Sequence, residues 1–263
     1  MRLNQAMKVF FITGLIIGLE LSSILSAAET PMIPLAVDEA RVTKLFNQLG
    51  QTATTPPVAE MTGSIFWQKV AWKDYHDINT STLKDGRRFQ LDLTHFGWEK
   101  INAWKPEKTL YLCYGKTRGA TLFDPESHHH FPIQSSWRGE DTPWHPLDDY
   151  AATLAADSTL EMMQANDVLE TLWKFEIDRC VQDVLQRPLP ADVRQKFLEL
   201  AQARLHYCHL QITFASQAIH TDITGTAAGP ITGAYATKLY RQAYFQLTEL
   251  AQYYQAFGPP QRR

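Results

Sequence analysis

Neither sign of charge dominates this chain: 25 basic residues stand against 28 acidic ones, a net of −3 at pH 7. A nucleic-acid partner would demand Lys and Arg gathered along one surface, so this balance excludes a broad basic face and with it a nucleic-acid function. Long apolar runs are also missing. The apolar run Val9 to Leu19 is about eleven residues, where a spanning helix needs roughly twenty, and no later segment is able to cross a membrane. Cysteine is rare, and its three copies exclude a fully paired set, leaving at least one thiol free or bonded to another chain. Catalytic signatures are absent as well. There is no Gly-x-Ser-x-Gly elbow, no phosphate loop, no helical histidine pair flanking a glutamate, and no cysteine set near a plausible base. Gly225-Thr226-Ala227-Ala228-Gly229 shares only its glycines with a phosphate cradle. No enzyme and no cofactor is therefore expected.

What is present suits an exported globular protein. With 44% hydrophobic and 20% charged residues, the chain of 263 can bury one large or two ordinary cores. Arg2 and Lys8 precede the Val9 to Leu19 run, and Ser26-Ala27-Ala28 offers small residues ahead of Glu29, the pattern of a secretory signal cleaved after Ala28. Glu20 at the end of the run fits an anchor less well. Without residues 1–28 the net charge becomes −4. The expected setting is periplasmic or secreted, with no membrane contact once the signal is removed.

From Asp157 to Phe257 the letters describe three long amphipathic helices. In the first, over about 161–186, Leu169, Leu172, Trp173, Cys180, Val181 and Val184 fall near steps of three and four. Arg187-Pro188-Leu189-Pro190 stops it, because proline lacks an amide proton and biases its predecessor away from helix. A second helix opens at once with Asp192 in its first turn and runs through Phe197, Ala201, Leu205, Cys208 and Ile212 to Ile219. The short turn makes this pair an antiparallel hairpin. Residues 220–233, with Gly225, Gly229, Pro230 and Gly233, predict a loop. A third helix follows through Ala236, Leu239, Tyr240, Ala243, Leu247 and Tyr254 until Gly258-Pro259-Pro260. On the first helix, Glu170, Glu176 and Asp178 are expected on a wetted face.

Asp157-Ser158-Thr159, Leu172-Trp173-Lys174-Phe175-Glu176-Ile177, the Leu189-Pro190 turn and Leu200-Ala201-Gln202-Ala203-Arg204-Leu205-His206-Tyr207 together resemble the small exported proteins grouped with the lysozyme inhibitor LprI. The likeness extends through Gly225-Thr226-Ala227-Ala228 and Leu247-Thr248-Glu249-Leu250, about a hundred residues. It implies a non-catalytic binding protein, with a lysozyme-like muramidase as partner. The chain also departs from that family. Asn166 and Ile212 stand where its members often carry cysteines, and Tyr207-Cys208-His209 replaces an aromatic-Arg-Asp run. If the hairpin turns near Leu189, Cys180 and Cys208 are offset along the axis by about 15 Å at 1.5 Å per residue, too far for a disulfide. Positions 166 and 212, by the same count, would face one another, and Cys113 remains able to meet either of the other two.

Upstream, Val37 to Leu49 predicts a short amphipathic helix and Gln51 to Val58, with Thr54-Thr55-Pro56-Pro57, a linker. Residues 64–72, 89–93, 109–114, 120–123 and 130–134 read as strands, with Gly115 to Gly119 linking two of them as a hairpin. The expected fold is α+β: a small antiparallel β-sheet followed by a three-helix antiparallel bundle. The divisions are 1–28 signal, 29–60 helix and linker, 61–150 β region, 151–257 helices and 258–263 tail.

Two segments offer candidate sites. His128, His130 and His145, with Asp124, carry the ligand types that zinc or copper takes, but neighbours in an extended chain point to opposite faces, so a solvated hairpin tip is expected and no metal. His206 and His209 are read as a helix-surface pair. Between the strands and the helices, Trp137, Arg138, Glu140, Asp141, Trp144, His145, Asp148, Asp149 and Tyr150 mix aromatics with charge as partner-binding surfaces do; the competing reading is that the two tryptophans seal the junction. The functional expectation is a periplasmic binding protein that inhibits a muramidase. The alternatives are an immunity protein against a cell-wall-targeting toxin, or an envelope metal handler using the histidines.

Overall fold

A computed structural model describes residues 38–76, 80–92, 99–139, 142–154, 156–222 and 226–257. The expected signal segment 1–28, Glu140, Asp141, Gly225 and the expected tail 258–263 lie outside them. Helix α1 (Glu39–Thr52) opens on Asp38, whose carboxyl accepts from the amides of Ala40 and Arg41. Strands β1 (Ser64–Tyr75), β2 (Thr80–Leu83) and β3 (Arg87–Leu91) follow, then the short α2 (Glu99–Asn102). Next come β4 (Thr109–Gly115), β5 (Gly119–Asp124), β6 (His129–Arg138) and a two-residue β7 (Thr142–Pro143). Helices α3 (Pro146–Thr153), α4 (Thr159–Gln186), α5 (Ala191–Asp222) and α6 (Ala228–Phe257) complete the chain.

The sheet does not stay open. In space the strands run β2, β1, β4, β5, β6, and β3 pairs with both β2 and β6, which closes a six-stranded antiparallel barrel with β7 added to β6. The expected small sheet followed by a three-helix bundle is therefore corrected to a closed barrel accompanied by six α-helices among the described residues. Closure removes the unpaired edges that an open sheet of these strands would leave. It depends on the pairing of Arg87 to Leu91 with Arg138 to Ile133, a contact between segments far apart in sequence.

Alternation fills the barrel. Val70 and Trp72 from β1, Leu83, Phe89 and Leu91, Leu110 and Leu112, Leu122 and Phe131 form one buried cluster that draws on every barrel strand, so it occupies the inner face. Ile101 of α2, Trp104 and Trp144 join it. Trp104 meets Phe131 edge-on at 5.3 Å, and Phe89 meets Trp144 at 5.6 Å. These side chains pack the barrel interior.

A second core lies between barrel and helices, combining Val42 and Phe46 of α1, Ile65, Tyr114 and Ala120 of the strands, and the inner stripes of α3 to α6. Helix α4 packs most closely on α6, α6 on α5, and α4 less on α5. Asn166 of α4 donates to the Pro230 carbonyl of α6 at 3.1 Å. The loop expected over 220–233 is largely helical, since α5 runs through Asp222 and α6 begins at Ala228. Among the described residues no helix is long and apolar enough to cross a membrane.

Candidate functional site

Where α4 and α6 pass the β4–β5 hairpin and β6, they leave a cleft of about 1140 Å³. Another hollow, along the exposed face of α1, is bounded by that one helix and gathers no buried group. Glu176 of α4, 5% exposed, lies at the floor of the cleft. Its position follows from the helical stripe: it is four residues after Leu172, three after Trp173 and four before Cys180, so the side chain goes inward with them. That corrects the reading of Glu176 as part of a wetted face.

Burial obliges this carboxyl to find donors. Tyr114 Oη donates to Oε1 at 2.8 Å, and Arg179 Nη1, one turn along α4, donates to the same oxygen at 2.9 Å. Burial pushes the Tyr114 phenol well up, and proximity to Glu176 pushes it further. Tyr244 of α6 is raised for the same two reasons. Burial works against the charge of Arg179, but Glu176, Tyr114 and Tyr244 more than offset it, so its pKa stays above the ordinary value. Gly119 makes room for this arginine. It adopts φ +63°, and a Cβ there would fall 1.8 Å from Arg179 Nη1.

His145 completes the floor. Its ring caps α3: Nδ1 accepts from the Leu147 amide at 3.1 Å, while Asp148 accepts from the His145 amide at 3.0 Å. Burial lowers its pKa to about 4, against the pull of Glu176 and Asp148, so near neutral pH the ring is uncharged. With Nδ1 engaged as an acceptor, the ring proton belongs on Nε2. That atom is buried without a hydrogen-bond partner, and Glu176 Oε2 stands 3.7 Å away. The floor thus presents donors and one carboxyl oxygen. It carries no activated nucleophile, because burial holds the thiol of the neighbouring Cys180 up at about 12.

The five partner-binding candidates do not share a surface. Trp144, 3% exposed, belongs to the barrel core, and Tyr150 packs against Phe66 at 6.3 Å. Asp149 explains the mixture of charge and aromatics: it accepts from Trp144 Nε1 at 3.1 Å, from Arg138 Nη2 at 2.6 Å and from Arg87 Nη1 at 2.6 Å. The mixture serves internal pairing, so Trp144 and Tyr150 are not presented to a partner. Trp137, half-buried on β6, lies under Arg88 at 5.9 Å, and the Arg138 side chain is 56% exposed. His145 alone of the five reaches the cleft.

The histidine run is likewise dispersed. His128 Nδ1 pairs with Glu60 Oε1 at 2.7 Å, whereas His130 engages Thr121 Oγ1 at 3.0 Å and the Glu60 carbonyl at 3.1 Å. His129 meets Lys100 and the Ser127 carbonyl. His145 sits apart from them in the cleft, so the candidate trio His128, His130 and His145 does not converge. Among the described residues no three His, Cys, Asp or Glu side chains gather as a metal site would require. Cys113, Cys180 and Cys208 are all free thiols.

Comparison of the chain with protein-family models, with curated proteins and with solved structures finds no match.

Proposed function

We propose that this is an exported, non-catalytic binding protein that takes a polar group of its partner into the cleft between the barrel and helices α4 and α6. The observation that carries the reading is the cleft floor: a buried carboxyl, a buried imidazole and a partly exposed arginine, with no activated nucleophile beside them. Such convergent polar groups in a concave site orient a ligand. Export is supported by Arg2, Lys8, the Val9 to Leu19 run and Ser26-Ala27-Ala28. A lysozyme-like muramidase is the proposed partner, on the strength of the resemblance to the LprI group.

The test uses the protein purified from an envelope fraction. Intact mass should correspond to a chain beginning near Glu29, and full-length protein alone in that fraction would overturn cleavage. Calorimetry against a panel of muramidases should show saturable binding to at least one, with inhibition and no turnover. Absence of heat for every member at high micromolar protein would remove the muramidase reading. Capture of a cell-wall-directed toxin in its place would turn the function to immunity.

A further inference from the structure

We infer that the outward face of α5 docks a second copy of this chain, with the two α5 helices packed antiparallel. The inference stands apart from the cleft and needs nothing from the binding reading. It starts from two apolar stripes on one helix. The first runs through Phe197, Ala201 and Cys208, which lie in the core between barrel and helices, with Leu205 and Ile212 packed against it. Cys208 Sγ reaches the Leu239 carbonyl of α6 at 3.8 Å. The second runs through Leu200, Ala203, Tyr207, Leu210 and Phe214, centred about 140° further around the helix. None of these five is buried, and Leu210 is 49% and Phe214 74% exposed. Tyr207 meets Arg204 over its ring at 5.6 Å and Gln211 at its hydroxyl at 3.3 Å, both of them neighbours on α5 itself.

Spacing separates the two stripes in kind. The inner one advances by steps of 4, 4, 3 and 4 residues, the broad face with which a helix packs on a globular core. The outer one advances by 3, 4, 3 and 4, the seven-residue repeat of a two-helix coiled coil, with Leu200, Tyr207 and Phe214 in one class of position and Ala203 and Leu210 in the other. A seam of this kind accepts another helix.

Side-chain volume identifies that helix. In an antiparallel pair each position of one class faces one of the other class, and a single register then sets Ala203 against Phe214 and Tyr207 against Leu210, each twice by the two-fold axis. The smallest side chain of the seam meets a bulky one, as an evenly filled interface requires. A parallel pair would stack Phe214 on Phe214 and leave Ala203 facing Ala203, overpacking one layer and opening a gap in another. The order of sizes is its own complement, which a contact between identical copies demands and a foreign partner does not. Flanking charge does not oppose it: across the antiparallel seam Glu199 comes opposite His220 and Arg204 opposite Gln211, so no like charges meet. The apolar seam is only about 21 Å long at 1.5 Å per residue, which places it among small, reversible interfaces.

Analytical ultracentrifugation of the full mature protein, over a concentration series reaching high micromolar, should show a reversible monomer–dimer equilibrium. Phe214→Lys and Ala203→Glu should each weaken association at least tenfold while keeping the circular dichroism and melting of the parent, since neither position is buried. Leu160→Glu, at a 63% exposed leucine of α4 off the seam, should leave association unchanged. The deciding sample is an equimolar mixture of the two α5 variants. Antiparallel pairing sets the new carboxylate against the new ammonium in one layer and keeps Ala203 against Phe214 in the other. The mixture should therefore form a mixed dimer at concentrations where each variant alone is monomeric. If either variant fails to fold, Tyr207→Glu mixed with Leu210→Lys makes the same exchange in the neighbouring layer and must show the same recovery. A parent that stays monomeric throughout, a dimer indifferent to Phe214→Lys, a dimer that Leu160→Glu breaks as readily, or a mixture without recovery would each overturn the inference. Loss of muramidase binding, or of binding to phosphatidylcholine vesicles, by Phe214→Lys without any self-association of the parent would also overturn it, giving the face to that partner. Phe214 lies outside the residues that bound the cleft, so failure of the dimer leaves the cleft reading standing, and failure of the cleft leaves the dimer.

Discussion

Leu110, Leu112 and Tyr114 share one face of β4, and between the second and third the molecule changes character. Leu110 and Leu112 enter the barrel interior, where rings and aliphatic chains fill the space. Tyr114 reaches the cleft floor and hydrogen-bonds Glu176. The interior also holds a carboxyl, Asp124, yet that group is fully served, by Trp104 Nε1 at 3.0 Å and Lys108 Nζ at 3.1 Å. At the cleft floor, by contrast, His145 Nε2 is left without a partner. The interior leaves the Trp72 Nε1 donor without a partner too, so what sets the cleft apart is that its unpartnered donor stands beside a carboxyl oxygen, Glu176 Oε2 at 3.7 Å.

The largest effect is expected where the contrast is most one-sided, inside the barrel. Phe131→Ala removes a fully buried ring in edge contact with Trp104, and urea denaturation should show a loss of about 3–5 kcal/mol. A loss below about 1 kcal/mol would mean that the barrel interior is far less tightly packed than the contacts imply.

Next comes the titration of the cleft floor. His145 is held at about 4 in the folded protein, first by burial, with Arg179 and Arg241 reinforcing and Glu176 and Asp148 opposing. The unfolded chain titrates near about 6.5. Between these values the unfolded state takes up a proton that the folded state refuses, so stability is fully present above about pH 6.5 and falls as the pH drops towards 4. The loss should approach about 3 kcal/mol. Burial lowers His130 too, which adds a slope of the same sign. The difference between the parent and His145→Asn isolates the cleft, and identical pH profiles for the two would show that the ring is not held neutral.

How much of this was legible in the letters depended on whether the deciding contact was local. The long helices start and stop where proline and capping residues put them, as with Ser158 and Glu161 at the head of α4 and Pro188 after its end. The barrel was hidden for two reasons. Its strand β2 is only Thr80-Ser81-Thr82-Leu83, too short and polar to stand out, although Asp85-Gly86 behind it is a hairpin signal that would have revealed it. The closing β3–β6 pairing joins distant segments, and no local pattern encodes it. In the site, Glu176 sat on the apolar stripe and its burial was readable from spacing. The aromatic and charged residues from 137 to 150 misled because composition does not distinguish side chains that pair with each other from those held out for a partner.

A glycine pair sharpens the comparison at smaller magnitude. Gly86 and Gly119 both close hairpins at positive φ, +84° and +63°, but a Cβ at Gly86 meets open space while one at Gly119 meets Arg179. Gly86→Ala should cost about 1 kcal/mol from backbone conformation alone. Gly119→Ala carries that cost plus the displacement of the guanidinium from Glu176, for a total of about 2 kcal/mol. Thermal melts of the two variants read the difference, and equal losses would mean that Arg179 relocates without consequence.

The smallest effect on folding is expected at Arg138, and it tests where the partner sits. Its side chain is 56% exposed and pairs with Asp149 at 2.6 Å, while Asp149 keeps Arg87 and Trp144 when Arg138 is removed. An exposed pair of this kind is worth less than about 1 kcal/mol, so Arg138→Ala should melt close to the parent. Arg138 lies at the end of β6, outside the set of residues that bounds the cleft. With the contact in the cleft, the affinity of Arg138→Ala for any muramidase that binds the parent should be unchanged. A tenfold loss towards the muramidase with unaltered melting would move the contact to the β6 rim, and the aromatic and charged segment would recover the role its composition suggested.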